Sequence, residues 1–401
     1  MVNIGIDLHK TQFTVCVRSW ENEEVKNIFS RYPTTAEGYA AFLKEVAKWQ
    51  KAGEVVQVGV ESTGNTRYFK TQMEEAGILV TVINTLKLKV VTESVKKTDK
   101  HDAATIAEFL EKDFLPKSQL CSRESEQFKY LLKARTTLVR SEVVMKNQIH
   151  SMLTSEGMED LKGSLQSKIG RQRVLNALKQ CNNGLVAQPL FETIERLEES
   201  VKGIEKELRS LAEGDRMVEL LMTIPGCGEI SAWTIRAYTD DINRFASAKK
   251  YASYAGLVPW VQNSNETVRH GKITKRGPKE LRTAIVQVVM GLRRMKEKTI
   301  TWRLMQRYEE MRKHKIPGKA IIAAARKMAT FIWYMLTEDV EFDLAKMIDR
   351  KLAKKSQAMS ESAKSTGDAC VEKPEKTAKR QIGTKREINT GVARERKRKV
   401  G

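Results

Sequence analysis

Two stretches near the start decide the fold: Val2-Asn-Ile-Gly-Ile-Asp-Leu8 and Gln12-Phe-Thr-Val-Cys-Val-Arg-Ser19, joined by His9-Lys10-Thr11. Both are rich in β-branched residues and partly alternate, so they read as two short strands of one hairpin. A third strand is expected near 25–31, then helical spacing over 35–49. Val55-Val-Gln-Val-Gly-Val60 is a near-continuous apolar run, the pattern of a strand covered on both faces. A helix near 65–76, a strand at 78–83 and helices through about 112 follow. Strands alternating with helices predict an α/β domain, and the early hairpin makes its sheet mixed rather than purely parallel.

Working outward, residues 122–215 lose the strand signals. Glu124 to Leu153 and Leu190 to Leu211 read as long amphipathic helices, a helical hairpin or coiled-coil arm. Such an arm reads as a spacer, a dimerisation element or a nucleic-acid contact; the few internal partners of long helices favour dimerisation. Residues 216–348 read as a third, mostly helical unit. The tail 349–401 has almost no large apolar residues; from 351 onward it carries 15 Lys+Arg against 6 Asp+Glu. It is expected to be disordered, serving either as a phosphate grip or as a solubilising tail. The expected division is therefore 1–118, 119–215, 216–348 and 349–401.

The whole chain of 401 residues has a formal charge of +21. That excess points to a polyanion, nucleic acid first and an acidic membrane surface second. Its 41% hydrophobic content rules out wholesale disorder. The five cysteines, Cys16, Cys121, Cys181, Cys227 and Cys370, form no CxxC pair; this argues against a zinc ribbon or disulfide framework and fits a reducing cytoplasm. The N-terminus lacks the basic and cleavage regions of a signal peptide. Ala320 to Leu336 is apolar but interrupted by Arg326 and Lys327, so it reads as a buried helix rather than a membrane span. Neither GxxxxGK[ST] nor HExxH occurs, so P-loop and zincin chemistry lack their signatures.

Four acids are candidate metal ligands. Asp7 lies in the first strand, where a carboxylate among apolar neighbours is costly unless paired or coordinated. Glu61 ends the strand 55–60. Asp99 and Asp102 lie in Lys97-Thr-Asp-Lys-His-Asp-Ala103, three apart and so on one face of a helix start. Clustered carboxylates suit Mg²⁺ and phosphate substrates. Two ions roughly 3.5–4 Å apart can stabilise both attacking and leaving oxygens of a phosphoryl transfer. Taken alone, Asp99 reads as an ordinary N-cap and Glu61 as a surface turn residue.

Two further motifs lie in the third unit. Ile224-Pro-Gly-Cys-Gly228 reads either as a helix-hairpin-helix turn, with Gly226 and Gly228 presenting N–H groups to a phosphate, or as a plain tight turn. Tyr254-Ala-Gly-Leu-Val-Pro259, Ser264 and Gly271-Lys-Ile-Thr-Lys-Arg-Gly-Pro-Lys279 read as a loop-rich stretch. Lys272, Lys275, Arg276, Lys279 and Arg282 crowd there, and Pro278 is placed as the N1 residue of a helix over 279–294. A serine such as Ser264 needs activation to act as a nucleophile; alone, it reads as a turn residue.

In their order and spacing these motifs resemble the DEDD transposases of the "IS one-ten" insertion sequences, related to the Piv and MooV invertases. The resemblance spans roughly residues 2–340. It implies an N-terminal RuvC-like, RNase H-type domain, a coiled-coil arm and a C-terminal transposase domain. Asp7, Glu61, Asp99 and Asp102 match the family's DEDD metal site, implying Mg²⁺, and Ser264 matches its catalytic serine. The family pattern has Gly after that serine; here Asn265 follows, and Asn tolerates left-handed backbone better than most residues. The resemblance further implies DNA recombination through a covalent serine–DNA phosphodiester, a bridge RNA that chooses the DNA partners, and a homo-oligomer, dimer or tetramer. A cytoplasmic, nucleoid-associated location is expected, with no membrane partner. Two other readings use the same residues: a RuvC-type structure-specific endonuclease acting through water, and a non-catalytic nucleic-acid-binding scaffold.

Overall fold

The computed structural model describes residues 1–21, 24–84, 88, 98–181, 183–264, 267–299 and 302–343, with the backbone alone at 21, 261–264, 267–270, 296 and 297. Strands β1 (Val2–Leu8), β2 (Gln12–Glu21), β3 (Glu24–Pro33), β4 (Val56–Glu61) and β5 (Leu79–Ile83) form one sheet, in the order β3-β2-β1-β4-β5. The β1–β2 and β2–β3 pairs are antiparallel; β1–β4 and β4–β5 are parallel. The sheet is mixed, as the early hairpin implied.

Its two faces are built differently. Ile4, Ile6, Val15, Val17, Val58 and Val60 share one face and pack under α1 (Ala36–Lys51) and α2 (Thr66–Glu75) through Tyr39, Phe42, Val46, Phe69 and Met73. The opposite face carries small residues in register: Gly5 pairs with Cys16 on one side and Gly59 on the other. Helix α3 (Asp99–Glu111) crosses there. A Cβ on Gly5 would lie 2.0 Å from the Ala103 carbonyl oxygen and 2.4 Å from the Ala107 nitrogen. Glycine at position 5 therefore lets helix backbone rest directly on strand backbone.

Helix α4 (Arg123–Ser155) and helix α6 (Gly184–Ala212) run alongside each other, joined by Arg135–Glu205 at 2.8 Å. Around the C-terminal end of α4, a 3-10 segment (Glu159–Gln166) and α5 (Lys168–Gln180) complete a separate small core with Ile149, Leu153, Val174, Leu178 and Ile194. Helix α6 starts six residues before the predicted Leu190. Pro189 lies inside it; proline disfavours helix interiors and hid its first turns.

The largest core lies in the remaining unit. It comprises α7 (Arg216–Met222), α8 (Glu229–Thr239), α9 (Ala248–Tyr254), α10 (Lys279–Arg294), a single turn Lys296–Thr299, α11 (Arg303–His314) and α12 (Pro317–Thr337). Trp233, Tyr251, Ile285, Val288, Met328 and Ile332 are buried at its centre. The predicted loop-rich stretch is instead an antiparallel ribbon, β6 (Pro259–Ser264) and β7 (Thr267–Ile273), with a register shift between Pro259 and Val261. Its polar run Gln262-Asn-Ser264 lacks the alternation that announces a strand. The start of α4 is fastened to this unit: Asp240 accepts from the Ser122 and Ser125 hydroxyls, each at 2.6 Å. Arg236 donates to Asp215 and to Ser125. Arg67 of α2 pairs with Glu126 at 2.7 Å on the other side. The expected tail 349–401 lies outside the described residues. No described helix is long and apolar enough to cross a membrane.

Candidate active site

The close approach at Gly5 also places the acids. Asp7 stands two residues along β1 from Gly5, on the same face. Asp99 and Asp102 precede Ala103 and Ile106 by four positions each, so they continue the buried stripe of α3 beyond the sheet. The helix N-cap is Thr98, whose hydroxyl accepts from the His101 N–H at 3.2 Å. Asp99 is thus the first helical residue and not the cap, which leaves its carboxylate available while the helix dipole favours its charge. Glu61 ends β4 and is half-buried. Ile6 of β1 stands beside Val60 of β4; the next residues along the two parallel strands are Asp7 and Glu61.

Asp7 is only 8% exposed. Burial raises its pKa above the ordinary 3.8; His9 opposes the rise, and the charges of Asp99 and Asp102 add to it. His9 Nε2 lies 3.1 Å from Asp7 Oδ2 and 3.7 Å from Asp99 Oδ1. Donor atoms of Asp7, His9 and Asp99 all fall within 4.8 Å of one another. Two carboxylates and an imidazole nitrogen converging on one point, beside the further charge of Asp102, can hold a divalent cation.

The predicted serine and cations lie on or beside the ribbon. Ser264 is the last residue of β6 and pairs with Thr267; Asn265 falls outside the described residues. Lys272, Lys275, Arg276 and Lys279 are exposed or half-exposed along β7 and the turn that follows it. Arg282 is half-buried, and its Nη1 donates to the Ala255 and Lys275 carbonyls at 3.2 and 3.3 Å. It ties the turn before β6 to the turn after β7, so part of its donor set is occupied within the chain. Gly226 has φ +81°, and a Cβ there would come within 2.8 Å of Gly291 carbonyl carbon in α10. The close approach of α10 therefore requires glycine there whether or not the turn also meets a phosphate. Gly228 caps α8, and a Cβ there would meet nothing within 4 Å.

Comparisons with known proteins decide what this assembly is. Residues 4–157 match a family of DEDD type described as "Transposase". Residues 218–303 match the "Transposase IS116/IS110/IS902 family". The chain belongs to the IS110 transposase family. A "Probable family 20 transposase" of Pseudomonas aeruginosa is 22% identical, over 84% of this chain and 93% of the relative. The "Transposase for insertion sequence element IS1111A" of Coxiella burnetii is 26% identical, over 83% and 89%. A "Pilin gene-inverting protein" of Moraxella bovis is 24% identical, over 85% and 97%. As an IS110-family transposase the chain is an enzyme of DNA cleavage and rearrangement, and DNA binding and a divalent metal go with that family.

Two residues beside the transposase carboxylates carry no role in the reading by sequence. His9 sits in the β1–β2 turn, which Asn65 holds by donating to the His9 carbonyl at 2.8 Å. Arg31 comes from β3, in the cross-sheet row Asp7–Thr14–Arg31, and its Nη2 reaches Asp99 Oδ2 at 3.5 Å. His9 could have been suspected from its place two residues after Asp7. Arg31 could not, since its neighbourhood depends on strand order.

Proposed function

We propose that this transposase exchanges DNA strands through a covalent phosphoserine–DNA link, with Asp7, Glu61, Asp99 and Asp102 as the metal-holding set and Ser264 as nucleophile. The convergence of Asp7, His9 and Asp99, with the charge of Asp102 felt at Asp7, carries the reading; Glu61 joins it by its place one residue past the Ile6–Val60 pair. The sheet order β3-β2-β1-β4-β5 supports an RNase H-like, RuvC-like unit in 1–118; the long helices α4 and α6 support an arm in 119–215, and the separate large core supports a serine-bearing unit in 216–348.

Bound Mg²⁺, two ions in this reading, would neutralise phosphate charge and make phosphorus more electrophilic. The carboxylates hold and orient; His9 steadies Asp7, and Arg31 adds a cation facing the same end of the sheet. Ser264 Oγ attacks phosphorus as the bond to O3′ breaks. The serine proton is lost to solvent and the departing oxygen gains one, becoming a free 3′-OH. Attack by another 3′-OH reverses the step and frees Ser264. Bond energy stays in the phosphodiester, so no nucleotide triphosphate is required, in keeping with the missing P-loop. Lys272, Lys275, Arg276 and Lys279 would grip phosphates. A bridge RNA and a homo-oligomer belong to the same proposal, as does a cytoplasmic, nucleoid-associated location.

The test is donor-DNA processing by purified wild type, Asp7→Asn and Ser264→Ala, with and without chelator. The proposal expects Asp7→Asn and chelation to stop all cleavage, and Ser264→Ala to stop strand exchange. Cleavage that survives Ser264→Ala but not Asp7→Asn would favour the RuvC-type endonuclease. Function that survives both variants and chelation would favour a scaffold.

A further inference from the structure

Among its described residues, the ribbon carries an exposed aromatic side chain that the strand-exchange chemistry does not use. Trp260, in β6, has 51% of its surface exposed. Gly271 of β7 stands against it: a Cβ on that glycine would come within 2.8 Å of the indole Cε3. The indole packs on strand backbone where there is no side chain, and about half of it faces solvent. The strand and turn beside it are rich in cations in sequence. Lys272 adjoins Gly271, and Lys275, Arg276 and Lys279 follow in sequence. A large aromatic ring kept exposed on a ribbon among cations is the combination found on surfaces that bind single-stranded nucleic acid.

We propose that Trp260 is a stacking platform for an unpaired nucleobase, placed beside the phosphates that Lys272, Lys275, Arg276 and Lys279 grip. This rests on the ribbon being a nucleic-acid interface and adds its occupant: a base outside a double helix. Bases within a duplex are already stacked on both faces, so an indole at a strand surface cannot reach them without unstacking. A flipped or single-stranded base offers a free π-face whatever its identity, and pairing with indole is sequence-tolerant. Such a base is available from a melted DNA strand or from an RNA loop; the chemistry at Trp260 is the same for both.

The test measures binding by the full chain in chelator, where cleavage does not intervene. The probes are a labelled single-stranded DNA, an RNA of the same sequence and the matching DNA duplex. Trp260→Ala is expected to weaken single-strand binding about tenfold. It should leave the slope of log affinity against log salt unchanged, because every phosphate-gripping cation is still in place. Duplex affinity should change by less than about twofold. Trp260→Phe should retain most of the affinity. A double Lys272→Ala, Lys275→Ala variant should instead lower the slope with every probe. A weakening with RNA alone, DNA alone or both single strands supports the platform and names the source of the base.

Unchanged single-strand affinity in Trp260→Ala, or an equal weakening on duplex, overturns the platform. If the lysine variant still lowers the slope, the interface itself survives that outcome. Should Trp260→Ala fail to fold, quenching of tryptophan fluorescence by the single strand decides. Wild type must be quenched more than Trp260→Phe, and equal quenching overturns the proposal.

Discussion

The carboxylates and the serine are mounted on different kinds of structure. Asp7, Glu61, Asp99 and Asp102 belong to two paired strands and a helix that packs on both, with Gly5 letting α3 rest on β1 and Gly59 standing against Ile106. Ser264 belongs to a two-stranded ribbon, a form that is marginal alone and must lean on its neighbours. Here the support is Arg282 and the turn at Gly256, where a Cβ would lie 2.4 Å from the Arg276 carbonyl oxygen. Each region uses a glycine against a larger group: Gly5 admits a helix backbone, while Gly271 admits an exposed indole. The carboxylate region should therefore answer to packing and burial, and the ribbon to surface charge and salt.

The largest effect expected from this contrast is at Gly5. Gly5→Ala puts a Cβ into the Ala103 carbonyl, and backbone cannot step aside as a flexible side chain can. Denaturant unfolding should show a loss of about 3 kcal/mol, and DNA cleavage should vanish as Asp99 and Asp102 shift. Wild-type stability in this variant would break the packing half of the comparison.

Asp7→Asn is the next largest, and it separates function from stability. Because burial raises the folded-state pKa of Asp7 above its ordinary 3.8, the folded form holds the proton more tightly than the unfolded form. The stability from that proton is fully present below 3.8 and is lost as pH rises through the folded value. At neutral pH the charged, metal-free carboxylate therefore weighs against folding. Metal-free Asp7→Asn should melt about 2 °C higher than wild type at about pH 7, with the gap closing towards about pH 4. Added Mg²⁺ should stabilise wild type and not the variant. A variant that melts lower at neutral pH would show Asp7 to be a structural acid satisfied by His9.

Smaller effects sharpen the other half. Replacing Lys272, Lys275 and Arg276 together by Ala should leave the melting temperature within about 1 °C. It should lower the salt slope of duplex binding by about 0.9 for each phosphate that no longer meets a cation. Arg31→Ala should cost less than about 0.5 kcal/mol of stability, since its pair with Asp99 is exposed and long. It should also tighten binding of the divalent ion, because a competing cation is gone. Weaker metal binding would show instead that Arg31 positions Asp99.

Much of this arrangement could be read from the residues themselves. The strands of the first sheet announced themselves through Val, Ile and Thr, and Asp7 stood out as a charge in an apolar strand. The spacing of Asp99 and Asp102 already placed them on one helix face. Helix 279–294 was marked by Pro278 and matches the observed Lys279–Arg294, with Pro278 as its N-cap rather than its first helical residue. What the sequence hid depends on distance across the fold. Arg31 meets Asp99 because β3 lies two strands from β1, which no local pattern encodes. The capping hydroxyl of Thr98 took the role that Asp99 would have had by residue type. The ribbon was obscured by its polar composition, and the ordering of its backbone pairs is a tertiary fact. Gly226 was ambiguous between phosphate binding and packing because both need an absent side chain; its neighbour Gly291 belongs to a helix far along the chain.

The central claim is that the two regions act on one phosphate, the carboxylates by holding metal and Ser264 by taking the DNA. Covalent trapping tests it most directly. Purified protein, Mg²⁺, element-junction DNA and RNA transcribed from the flanking non-coding region would be mixed and run on denaturing gels, for wild type, Ser264→Ala and Asp7→Asn. The account predicts a metal-dependent protein–DNA adduct that maps to Ser264 and is absent from both variants. Cleaved DNA without an adduct, unchanged by Ser264→Ala, would contradict it.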